Sequence, residues 1–283
     1  AREIEDIADG FCVALVEEGV ELRVNGISKP ILVLAPPLGE DDALKLKHYS
    51  LTATVTDKRS AKLTQGLKRQ IAINTGMNRY GCFGKELEEV LEIIPEGGLE
   101  GVYSHLYAAD NAVESQKQLA AFKVAEEAVK RHSPEAIAHI AASGGTLSGG
   151  EYLCDGVRCG IALYGYAPAG FNADGLTPAL KVYAPLSGET TVTGGGVGYN
   201  IADKKYDKLY TYRLGYADGF GRTIPLGEKT LCMDAFISTR KEKYMPVFTD
   251  ADEYAKRCGT ISYEVLCSVT RRSRKIYERP APL

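Results

Sequence analysis

Seven short apolar runs recur along the first 165 residues: Phe11–Val16, Pro30–Ala35, Thr52–Asp57, Ile71–Asn74, Gly101–Leu106, Ala136–Ala141 and Gly160–Gly165. A run of this length that is apolar on both faces reads as a strand buried in a parallel sheet. Polar-patterned helical stretches follow the first four (EEGVELR, DDALKLKHY, KRSAKLTQGLK, GKELEEVLEII), and a long helix from about Glu114 to Arg131 follows the fifth. That rhythm predicts either an open doubly wound sheet or a closed (β/α)8 barrel. An open sheet usually carries a nucleotide fingerprint after an early strand, and neither G-x-G-x-x-G nor G-x-x-x-x-G-K-[ST] occurs here. The barrel is therefore the expected fold, with seven of its eight strands visible.

Beyond Asp174–Leu180 the pattern changes. VYAPLSGETTVTGGGVGYNI and KLYTYRLGYADG are β-branched, aromatic and punctuated by glycine, with no strong helix signal before about Thr249. Two domains are expected: a barrel over 1–177 and a mostly β domain over 178–283. The balance of 34 basic against 37 acidic residues argues against a nucleic-acid or anionic-membrane binder. No apolar run reaches transmembrane length, and the opening AREIEDIADG is too polar for a signal peptide. Seven cysteines without C-x-x-C point to reduced thiols in a cytoplasmic protein. The four histidines do not pair with cysteines at zinc spacings, so no metal is expected.

In a barrel, functional groups gather at the C-terminal ends of the strands. Arg79 follows Ile71–Asn74 in NTGMNRYG, His105 closes GVYSHL, and Ser143 follows AIAHIA. Arg158 opens VRCGIALYG, just before Gly160 and Ile161. Taken singly, each also suits a cap, a surface position or a satisfied core histidine. Four such positions in successive βα units favour a site without naming its reaction. In the second domain, GYADGFGR (Gly215–Arg222) is dense in glycine around Tyr216 and Asp218, which a turn also explains. TGGGVGY lacks the lysine and helix of a phosphate loop and reads as a β connection.

With these segments assembled, the chain resembles the alanine racemase family of pyridoxal-phosphate (PLP) enzymes. ADGFCVALVEEGVELR, INTGMNRYG, GVYSHLYAADN, HIAASGGTL, VRCGIALYGYAP, GGGVGYN, LGYADGFGR, CMD and GTISYEVLC match family motifs in the family's order. The resemblance implies an N-terminal (β/α)8 barrel, a C-terminal β domain, and interconversion of L- and D-alanine by two-base Cα proton transfer, supplying D-alanine for bacterial peptidoglycan. It implies that Tyr216 exchanges the proton on one face of the substrate. A tyrosine ordinarily ionises near about pH 10 and needs help to act as a base. His105 resembles the partner of that tyrosine, and Arg158 the residue behind His105, whose positive charge favours the phenolate. Arg158 also resembles the residue facing the PLP pyridine nitrogen. Ser143, the amides of Gly160 and Ile161, and the Tyr263 hydroxyl resemble the phosphate-binding set. Arg79 resembles the residue near the PLP phenolic oxygen and the substrate carboxylate, and Met233 one whose backbone N–H meets that carboxylate. Tyr216 and Met233 are implied to reach into a partner's barrel, making the enzyme a homodimer with shared sites.

The chain also departs from the family. The K-A-x-A-Y-G-H-G-type motif that carries the PLP lysine is absent, and the sequence opens inside the helix that follows it. Ala72 stands where many members have a lysine, often carbamylated, that props the arginine equivalent to Arg79. Ala142 replaces a frequent asparagine, and the V-G-D-x-V stretch after CMD is missing. The segments between Leu180 and Gly194 and between Arg222 and Thr230 look trimmed. These gaps suggest a complete parent racemase from which segments have been left out, with a pseudoenzyme as the literal alternative. A serine racemase of the glycopeptide-resistance type shares the motifs, although the bulky Tyr263 favours a small alanine pocket. A non-catalytic PLP-binding protein is the reading from another class, and the second domain argues against it.

Overall fold

The computed structural model describes residues 1–201, 205–221, 230–269 and 272–277. The chain divides into two compact units, Ala1–Gly160 with Ala167–Asn172, and Ile161–Tyr166 with Ala173–Leu283.

The first unit alternates strand and helix: β1 (Phe11–Val13), α1 (Val16–Val24), β2 (Ile31–Val33), α2 (Glu40–His48), β3 (Ala53–Val55), α3 (Lys58–Leu63), β4 (Arg69–Ala72), α4 (Lys85–Leu91), β5 (Gly101–Tyr103), α5 (Ala112–His132), β6 (Ile137–His139) and α6 (Ser143–Ser148). β1 pairs parallel with β2, and β3 to β6 form a parallel sheet in chain order. A Leu32–Thr52 bridge joins the two sets, and an Ala142–Arg158 bridge extends the wall beyond β6. This is the wall of a (β/α)8-type barrel.

Side chains alternate across each strand. Val33, Val55, Ile71, Val102 and Ala138 are fully buried and pack with the helices. Leu32, Ala72 and Tyr103 form a separate inner cluster. α5 lays Leu119, Phe122, Ala125 and Val129 against the outer face at helical spacing. Its start is capped by Asn111, whose side chain accepts from the Glu114 amide at 3.1 Å. Asp57 caps α3 in the same way, accepting from Ser60 at 2.7 Å.

One sequence expectation needs correction. Gly160–Gly165 is not a strand: Ile161–Tyr164 forms a single 3-10 turn, and the seventh wall position is reduced to the one bridge at Arg158. A four-residue apolar run is too short to separate a strand from a turn, and here only Ile161 is buried while Leu163 and Tyr164 are exposed. The turn ends where Gly165 takes φ +81°, and a Cβ there would lie on the Thr177 carbonyl, leaving no room for an extended side chain. Ser143, after the strand as expected, opens α6, a helix whose SGGTLS sequence carries no apolar periodicity.

The second unit is built on an antiparallel sheet in the order β11-β12-β10-β7-β13. Its strands are β7 (Val182–Thr191), β10 (Lys208–Tyr212), β11 (Thr230–Leu231), β12 (Phe236–Ser238) and β13 (Tyr244–Phe248). The GGGVGYN segment forms a small hairpin of β8 (Gly196–Val197) and β9 (Asn200–Ile201). Helices α7 (Ala251–Cys258) and α8 (Ser262–Val269) follow. Tyr212 and Phe236 stack at 5.1 Å in the core, and the Tyr212 hydroxyl donates to the Arg240 carbonyl at 2.9 Å. Arg222 and the shortened stretch after it, up to residue 229, lie outside the described residues.

Candidate functional site

Arg158 organises the inside of the barrel. Its backbone N–H donates to the Ala141 carbonyl at 2.9 Å, which sets the residue beside the end of β6. Its guanidinium donates to the carbonyls of Ser104 (2.5 Å), His139 (3.0 Å) and Ile140 (3.3 Å), and to His139 Nδ1 (2.5 Å). Among the described residues none of these acceptors is a carboxylate. The guanidinium is held in place by dipoles and not by an ion pair with them, and burial pulls its pKa down from the ordinary arginine value. It also lies 5.3 Å from the centre of the Tyr103 ring, an attraction between cation and π face. Tyr103 stacks flat on His139 with ring centres 5.3 Å apart.

This packing shapes the titration of its neighbours. Burial, reinforced by Arg158 and then Arg79, pushes His105 down to about 4. His105 Nδ1 lies 3.5 Å from Arg158 Nη2. Burial and Arg158 push His139 down to about 3, against a weaker upward pull from Asp155. Burial pushes the Tyr103 hydroxyl up to about 12, despite its bond to Thr54 Oγ1 at 2.9 Å. Both imidazoles are neutral near pH 7.

Ser143 and Gly160 meet at the same end of the wall, where the Gly160 N–H donates to Ser143 Oγ at 3.0 Å. A Cβ built on Gly160 would face open space. Arg79 sits on the exposed turn after β4. Asn74 holds that turn, its Oδ1 accepting from the amides of Gly76 and Asn78, each at 3.1 Å. Arg79 lies 6.0 Å from the Tyr80 ring centre. The Ala72 side chain is buried and apolar, so it offers Arg79 no polar support.

In the second unit, Tyr216 and Met233 are brought together. The Tyr216 N–H donates to the Cys232 carbonyl at 3.0 Å, and the Ala217 N–H to the Met233 carbonyl at 2.8 Å. The crossing is so close that a Cβ on Gly215 would lie 2.3 Å from the Met233 carbonyl. GYADG and CMD are thus one structural piece, with both side chains exposed. Asp218 closes the turn by accepting from the Gly215 amide at 2.8 Å. Tyr263 lies on α8, its hydroxyl pushed up by burial. Ile161 opens the 3-10 turn of this unit.

Tyr103, His139 and Gln70 were not among the candidate residues from sequence. The available signal was a polar residue at an inward position of an apolar run, as His139 is in AIAHIA.

A family model described as alanine racemase, N-terminal domain, matches residues 1–168. An alanine racemase of Ligilactobacillus salivarius is 31% identical over 316 aligned residues, covering 96% of this chain and 84% of that protein. One from Streptococcus pneumoniae is 32% identical over 321 residues, covering 98% and 86%. Both alignments are longer than the chain, so these relatives carry internal residues that it lacks. Among solved structures, alanine racemase from Clostridium difficile superposes with a TM-score of 0.83 at 28% identity, over 96% of this chain and 82% of that one. The biosynthetic alanine racemase of Pseudomonas aeruginosa gives 0.81 at 26% identity, over 98% and 87%.

A barrel wall followed by an antiparallel β unit is the architecture shared with these solved racemases, and it places the chain among the amino-acid isomerases. The chain belongs to the alanine racemase family, whose members interconvert L- and D-alanine.

Proposed function

We propose that the barrel domain, residues 1–177, holds pyridoxal phosphate and that residues 178–283 complete the site in a homodimer. The observation that carries this reading is the Arg158 guanidinium, charged and held by neutral acceptors among the described residues. The donor set fits the cofactor: a permanent cation for a pyridine nitrogen, and the Ser143 hydroxyl beside Gly160, where open space adjoins the backbone. Ser143, Gly160, Ile161 and Tyr263 would hold the phosphate, and Arg158 would face the ring. When bound, the cofactor supplies the electron sink that makes the amino-acid Cα–H acidic.

The remaining roles belong to this chain's own groups. Arg79 and the Met233 N–H orient the substrate carboxylate. Tyr216 of one subunit moves the proton at Cα on one face. His105, neutral and half-buried, accepts or returns a hydrogen bond to that tyrosine without adding charge. Arg158 would offer the ring nitrogen a hydrogen-bond donor that cannot give up its proton. An arginine at that place, in contrast to a carboxylic acid, would favour return of the proton to Cα over side reactions. None of the 283 residues is assigned the role of the family's cofactor lysine. No helix among the described residues is long and apolar enough to cross a membrane, and we place the enzyme in the bacterial cytoplasm.

The test is PLP titration followed by absorbance, with alanine racemisation measured on the loaded protein. Arg158→Ala is expected to weaken PLP binding and abolish racemisation. Wild-type PLP affinity in that variant would sink the assignment. Serine racemised faster than alanine would move the reading to the glycopeptide-resistance type.

A further inference from the structure

Behind Arg158 runs a second line of contacts. His139 Nδ1 meets Arg158 Nη1 at 2.5 Å, and His139 Nε2 meets Gln70 Oε1 at 2.7 Å. Both side chains are buried, His139 to 5% exposure and Gln70 to 8%. They sit on β6 and β4, two strands apart. Gln70 crosses β5 at Gly101, its register partner, where an added Cβ would lie 2.8 Å from Gln70 Cδ. A side chain at 101 would block the link.

The polarity of the line follows from one fact: a guanidinium has donors and no acceptor. His139 Nδ1 must therefore present its lone pair to Arg158. An imidazolium has no lone pair, so the ring must be neutral with its proton on Nε2. That N–H needs an acceptor, so Gln70 must present its oxygen and not its amide nitrogen.

We propose that Gln70 is a positioning residue for the cofactor arginine: by accepting from His139 Nε2–H it fixes the imidazole tautomer, which fixes Arg158. This rests on the reading that Arg158 faces the PLP ring. The groups facing His139 are Arg158, Gln70, the Tyr103 ring stacked on it, and Asp155, whose field alone favours protonation. Burial and Arg158 outweigh Asp155, so the ring stays neutral across the working pH range.

The substitution that tests this is Gln70→Glu, equal in size and carrying a carboxylate. It should draw a proton onto His139, leaving two cations face to face. Gln70→Leu removes the acceptor without adding charge. Nitrogen-15 NMR of the imidazoles in the full chain should show wild-type His139 neutral, protonated on Nε2 and not titrating between pH 5 and 8. In Gln70→Glu it should become protonated near neutral pH, and in Gln70→Leu the tautomers should mix. With PLP bound, both variants should shift the cofactor absorbance and lower kcat roughly tenfold, the scale of losing an outer partner that orients a ligand-holding group, with little change in KM for alanine. A wild-type His139 that titrates or carries its proton on Nδ1 would overturn the proposal. So would unchanged imidazole signals in both variants, or changed signals with cofactor absorbance and kcat unmoved. A protein that fails to bind PLP would instead sink the functional reading, while the NMR experiment on the free chain still decides the tautomer.

Discussion

A neutral imidazole buried against a guanidinium ties stability to pH. In the unfolded chain His139 takes up a proton near the ordinary histidine value of about 6.5. In the fold it stays neutral down to about 3. Between those values the unfolded state binds the extra proton and is favoured. Stability is therefore full above pH 6.5 and falls by about 1.4 kcal/mol per pH unit below it on this group's account. The urea midpoint should drop from pH 7 to pH 5, and drop less in His139→Asn. An equal drop in the variant would remove His139 as the source. At the same scale, Arg158→Glu should raise pyruvate formed per racemisation, measured by product analysis; unchanged partitioning would show that the charge opposite the ring nitrogen does not guard against side reactions. Arg158, His105 and Ser143 could be proposed from the sequence because each stands in a motif beside an apolar run. Gln70 could not. RQIAIN shows one glutamine in a strand, and only folding brings it to a histidine 69 positions away.

Elements of the barrel are tied by side chains at its other end. Arg69, 3% exposed, donates through Nε to Gly98 (3.1 Å) and through Nη1 to Ala61 (3.2 Å) and Thr64 (3.4 Å). One side chain thus closes the C-terminus of α3 and the loop before β5. Arg23 plays the same part for α1, reaching the carbonyls of Ile27, Lys29, Tyr49 and Ser50. Arg69→Met keeps the apolar stem and strands three carbonyls, which should cost about 3 kcal/mol. Urea unfolding measures this, and a loss under about 1 kcal/mol would mean that water replaces the guanidinium. Five helices were readable from periodicity or charge pattern, and α5 is within two residues of its expected start. α6 was not readable because SGGTLS has no apolar face. The seventh strand was overread because pairing, not composition, separates a short strand from a 3-10 turn.

For the whole molecule, the proposed shared site makes activity depend on assembly. Tyr216→Phe and Arg79→Ala should each be inactive alone. Mixed and reassembled at equal amounts, they should recover about a quarter of the sites, since half the dimers are mixed and each carries one intact site. No recovery would place Tyr216 in its own subunit's site. Dilution to monomers should likewise abolish racemisation, read against sedimentation at the same concentrations. The sequence by itself determined the parallel α/β wall, the β-rich second half and the family, because strand period, helix period and ordered motifs are local properties of the chain. Tertiary structure alone decided what surrounds the arginine. A guanidinium held by backbone carbonyls, a histidine held neutral and a glutamine reaching across a glycine depend on contacts between distant strands, and no local pattern encodes those.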